Sequence, residues 1–122
     1  MKTVKQEDLK ELTEKVYELL HKTAIEIGQN PDGKTIASLS KIFANDLQKE
    51  TRFKNLTFNQ VVDGFSLGVR FGKDEPFLNI RTFYKWTYEH KKTIDDAYYQ
   101  VHTLGQPKEK ILYYQEPLKQ LK

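Results

Sequence analysis

Hydrophobic positions recur every three or four residues along most of this chain and divide it into helical stripes. Leu9, Leu12, Val16, Leu20, Ala24 and Ile27 form the first, the one-sided pattern of an amphipathic helix. Thr3 and Gln6 ahead of it have the spacing of a capping box, and Gly28 stands where a C-terminal cap belongs. The expectation is a helix over residues 4–27, followed by a turn at Asn30-Pro31-Asp32-Gly33. A second helix is expected after Thr35, with Ile36, Leu39, Phe43 and Leu47 on one face. It ends near Glu50, ahead of the basic link Arg52-Phe53-Lys54-Asn55.

Thr57 and Gln60 repeat the capping box. Behind them Phe58, Val61, Val62, Phe65 and Val69 occupy i, i+3, i+4, i+7 and i+11, the clearest amphipathic pattern in the chain. Gly64 and Gly68 lie four apart within it. A glycine inside a helix costs about 1 kcal/mol relative to alanine. The pair therefore marks a close approach, either of another helix of the same chain or of a partner. Gly72 is a stop, and Lys73-Asp74-Glu75-Pro76 a loop. Asn79 caps a fourth helix starting at Ile80, which Thr93 and Asp96 restart or continue to about Leu104, with Gly105 and Pro107 closing it.

The remaining apolar run, Ile111-Leu112-Tyr113-Tyr114, fits an extended arm or a single short strand. No other segment alternates at period two, so no sheet is expected. The fold class is all-α, a compact bundle of four to five helices with a short extended C-terminal arm. One domain is expected over residues 1–122, with an N-terminal helix within 1–30, a helical core over 35–105 and the arm over 106–122.

Composition narrows the chemistry. The 122 residues include no cysteine, which removes disulfides, thiolate nucleophiles and cysteine-ligated zinc. No secretory leader and no membrane-length apolar run is visible, so a soluble protein of the cytoplasm is expected. The histidines, His21, His90 and His102, are widely separated and form no zinc-binding helix motif. Asp95-Asp96 and Asp74-Glu75 are adjacent pairs, which diverge on a helix and make no catalytic dyad. Ser38, Ser40 and Ser66 lack a nucleophile-elbow context. No glycine-rich phosphate loop occurs. The expectation is a non-enzyme with no cofactor, no metal and no small-molecule substrate.

Charge then singles out one region. Net charge is +3 overall. It is −1 over residues 1–50, +4 over residues 51–92 and 0 over residues 93–122. Residues 77–99 carry seven of the fifteen aromatics (Phe77, Phe83, Tyr84, Trp86, Tyr88, Tyr98 and Tyr99), interleaved with Arg81, Lys85, Lys91 and Lys92. A solvated helix face is the commoner reason for such lysines, and a contact surface for a polyanion or an acidic protein is the other. Arg81, Lys85 and Lys92 recur at spacings of four and seven, hence on one side. Tyr84, Trp86 and Tyr88 cannot all be buried by one stripe, which leaves accessible aromatic surface of the kind that anchors interfaces or stacks on RNA. The candidate partner- or nucleic-acid-binding residues are therefore Arg70, Lys73, Arg81, Lys85, Trp86, Lys91 and Lys92. The mildly basic balance excludes an acidic mimic of DNA.

The runs Phe53-Lys54-Asn55-Leu56-Thr57-Phe58, Gly64-Phe65, Gly68-Val69-Arg70, Phe77-Leu78-Asn79-Ile80 and Thr82-Phe83-Tyr84-x-Trp86 resemble small helical proteins encoded by phage and prophage accessory genes. The likeness covers roughly residues 35–105. The resemblance implies an inhibitor of a bacterial nucleoprotein complex, anti-CRISPR-like, that binds an RNA-guided nuclease or its guide RNA in the host cytoplasm. The alternative it implies is a phage replication accessory, a helicase-loader-like adaptor that binds nucleic acid.

Overall fold

A computed structural model describes residues 2–72 and 76–103. Its elements are α1 (Leu9–Ile27), α2 (Gly33–Lys49), a 3₁₀ turn (Thr51–Phe53), α3 (Phe58–Phe71) and α4 (Ile80–Thr103). Among the described residues no strand occurs, only an isolated antiparallel bridge between Thr3 and Thr57. The all-α expectation holds. The C-terminal arm, Gly105 and Pro107 lie outside the described residues. The described residues divide into two compact units, between Lys92 and Thr93.

Local chemistry sets the helix ends. Asp32 accepts the backbone N–H of Thr35 at 2.7 Å and starts α2. Thr57 and Gln60 form the reciprocal capping box of α3, at 3.3 and 3.0 Å. Asn79 accepts the N–H of Thr82 at 2.8 Å and starts α4. Gly28 closes α1 at φ 76°, where a side chain would be strained. Its N–H donates to Ile25 O, and that of Gln29 to Ala24 O, the paired closure of a Schellman motif.

The start of α1 differs from the expectation. The helix begins at Leu9, capped by Asp8, and not at residue 4. Gln6 does accept the Thr3 N–H at 3.0 Å, but this half of a capping box closes a turn. Thr3 bridges to Thr57, and Val4, fully buried, donates its N–H to Leu56 O at 2.7 Å. The Gln48 side-chain amide then donates to the carbonyls of Glu7 and Val4 at 2.7 and 3.3 Å. These partners are more than forty residues away, beyond the reach of a local pattern.

The core of the first unit is aromatic. The Phe43 ring of α2 lies 5.7 Å from Phe65 of α3 and 5.3 Å from Phe83 of α4. Phe65 stacks on Phe83 at 5.3 Å and meets Trp86 edge-on at 5.3 Å. Tilted and edge-on pairs at these separations add to the burial of the rings themselves. Leu12, Val16, Leu20, Leu47, Leu56 and Val61 complete the core. In the second unit Tyr98 and His102, four apart on α4, stack with ring centres 3.7 Å apart.

Candidate functional site

One turn of α4 after another presents the same kind of side chain to solvent. Arg81, Lys85, Tyr88 and Lys92 stand at i, i+4, i+7 and i+11 and are all exposed. At 1.5 Å rise per residue they form a strip about 16 Å long. The opposite face carries the buried Phe83, Trp86 and Thr87, and the Thr87 hydroxyl donates to Phe83 O at 2.7 Å. The strip is thus the outward side of a helix oriented by its core-facing side.

A second element joins it. The 3₁₀ turn after α2 brings the Arg52 guanidinium to 5.3 Å from the centre of the Tyr88 ring. The Lys92 ammonium lies 5.9 Å from the same centre. Two cations therefore share one ring, within the range of cation–π attraction. Glu50 accepts from Arg52 Nε at 3.0 Å. This bond comes first among the causes that hold the Glu50 carboxyl below and the Arg52 guanidinium above their ordinary values. Beside them Tyr84 is half-buried, its ring 5.5 Å from Phe53 and 6.1 Å from Phe43. Burial first, and a hydrogen bond to Asp46 second, push its phenol up to about 12.

The residues expected to form the site separate in the structure. Arg81, Lys85 and Lys92 share the strip, and Lys91 is half-buried at its edge. Trp86 requires correction. It is 5% exposed and is a core residue, with no contact surface to offer a partner. Its ring fills the notch left by Gly68, where an added Cβ would sit 2.2 Å from Trp86 Cδ1. The two glycines thus serve packing within the chain, as the first reading of that pair held. Of the three rings that one stripe cannot cover, Tyr88 stays exposed. Arg70 belongs to a different place. Its Nη2 pairs with Glu26 of α1 at 2.6 Å, and Nη1 donates to the Ser66 hydroxyl at 2.9 Å. Lys73 lies outside the described residues. Arg52 and Tyr88 were not among the expected site residues. Only the basic link at 52–55 and the helical spacing of Tyr88 with Arg81 and Lys92 hinted at them.

Other places offer less chemistry. A groove of about 490 Å³ opens among Lys2, Glu7, Glu11, Lys15, Phe58 and neighbouring residues. Of its charges, Lys15 pairs with Glu7 and lies 5.8 Å over the Phe58 ring. Among the described residues no group of three or more His, Cys, Asp or Glu could hold a metal ion. His90 packs against Gly64, with a buried Nδ1 that has no hydrogen-bond partner among the described residues. No described helix is long and apolar enough to cross a membrane.

Comparison of the chain with protein-family models, with curated proteins and with solved structures gives no match.

Proposed function

We propose that this is a non-enzymatic binding protein of phage or prophage origin, which inhibits a bacterial RNA-guided nuclease in the manner of an anti-CRISPR by gripping its guide RNA. The observation that carries the reading is the exposed strip Arg81, Lys85, Tyr88 and Lys92 with Arg52 laid against it. Three cations along about 16 Å of helix, with Arg52 brought beside them from the 3₁₀ turn, suit a ligand that repeats its negative charge along its length. The resemblance of residues 35–105 to phage accessory proteins supplies the biological setting, the host cytoplasm. Inhibition follows from occupancy: a strand held on this face is withheld from the complex that uses it.

The test is an RNA titration at two salt concentrations, with an Arg81→Glu/Lys92→Glu double variant beside the parent. Affinity is expected to fall steeply with salt and to be lost in the variant, because neutralised phosphates release counterions. Capture from a bacterial lysate, with and without nuclease treatment, then reports whether the captured complex is held through RNA. Absence of RNA binding at the lower salt concentration overturns the proposal.

A further inference from the structure

The ring at the centre of the strip has a more specific role, and the argument for it rests on the strip as a nucleic-acid contact. An exposed tyrosine in a basic setting would ordinarily be read as a platform on which a base stacks. Tyr88 is 38% exposed, but its ring is already engaged by Arg52 at 5.3 Å and by Lys92 at 5.9 Å. The two cations come from different elements, the 3₁₀ turn and α4, and this ring is the group that both approach. Glu50 takes only the Nε–H edge of the Arg52 side chain. The terminal amino edge, the one that grips phosphate in a fork, has no hydrogen-bond partner among the described residues.

We infer that Tyr88 is a positioning residue that holds Arg52 and Lys92 as a clamp for a backbone phosphodiester, so that the strip takes nucleic acid by its phosphates and without regard to base. Acidic neighbours bear on the kind of ligand. Glu50 pairs with Arg52, and Asp46 with Tyr84. They lower the attraction of the cluster for any single small anion. A strand gains from Arg81 and Lys85 as well, about 6 Å apart along the helix by its rise, with Lys92 about 10 Å beyond. The ligand class is therefore a polymer of phosphodiesters, and free phosphate or a mononucleotide is a poor substitute.

Fluorescence anisotropy tests this with oligo(dT), an abasic deoxyribose-phosphate strand of equal length, and inorganic phosphate as competitor. The abasic strand is expected to bind within about twofold of oligo(dT), since base stacking would otherwise contribute severalfold or more per base. Tyr88→Leu is expected to weaken both strands about three- to fivefold, with an unchanged circular dichroism spectrum. Tyr88→Phe, which keeps the ring, recovers that loss. Arg52→Gln combined with Lys92→Gln should lower the slope of log affinity against log salt by about 0.7, the one single-strand phosphate that the clamp holds.

A strong preference for oligo(dT) over the abasic strand overturns the clamp and makes Tyr88 a stacking platform, while the nucleic-acid reading survives. Displacement of the strand by inorganic phosphate at matched phosphate concentration also overturns it, as a small-anion site. Binding of neither strand at low salt overturns the clamp, and the RNA titration decides the guide-RNA reading beneath it separately.

Discussion

Trp86 sits in the place where Gly68 has no side chain. A Cβ on Gly68 would come within 2.2 to 2.5 Å of three atoms of the indole five-membered ring, and the indole is 95% buried. Such a ring has no room to retreat. Gly68→Ala is therefore expected to destabilise the fold by about 1–3 kcal/mol despite the better helix propensity of alanine. At Gly64 the nearest atoms are His90 Cβ at 3.1 Å and Trp86 O at 3.2 Å. There the propensity gain of about 1 kcal/mol offsets most of the strain, and Gly64→Ala should fall within about 1 kcal/mol of the parent. Paired urea titrations of the two variants measure the contrast.

Trp86→Ala removes a large ring from the centre of an aromatic core. A loss of about 3–5 kcal/mol is expected, and Trp86→Phe should retain more of the stability because the edge-on contact with Phe65 is partly kept. Trp86 is the only tryptophan, so its fluorescence reports the core directly. Emission should be blue-shifted in the folded protein and should not change when RNA is added. A red-shifted native spectrum would contradict the burial.

Alkaline stability should depend on Tyr84. Its phenol is raised from 10.0 to about 12 by burial and by the bond to Asp46. The folded state then holds this proton more tightly than the unfolded state does. The resulting stability is fully present below the unfolded value and disappears as pH rises through the folded one. Tyr84→Phe should flatten the fall in Tm between pH 10 and about pH 12.

In acid the sign reverses. The Thr35 N–H first, and the Thr35 hydroxyl second, hold the Asp32 carboxyl below its ordinary value of 3.8. A carboxyl depressed on folding contributes stability above its unfolded value, and that contribution disappears as pH falls through the folded value. Asp32→Asn keeps a capping oxygen without the charge. Its Tm should decline less steeply than that of the parent below about pH 4.

Much of the helical plan was legible because its signals are local. The Thr57/Gln60 box, Asn79 ahead of Ile80, and Gly28 after Ile27 act within four residues of the ends they set. The start of α1 was not, since Thr3 and Val4 answer to Thr57 and Leu56. Trp86 was misjudged for a related reason. An aromatic in a basic stretch looks accessible until the glycine notch on another helix is set against it, although two glycines four apart did announce a close approach. The shared side of Arg81, Lys85 and Lys92 followed from spacing alone. Arg52 did not, because only the path of the chain after α2 carries it to Tyr88.

The fit of one indole into one gap has a consequence at the other side of the helix. It fixes the angular setting of α4 about its own axis, for a turn of one residue, about 100°, would take the ring out of its seat. Whatever the solvent side displays is aimed by that key. Exchanges among the displayed side chains leave that key in place, so they change what the surface offers and not how the helix is set.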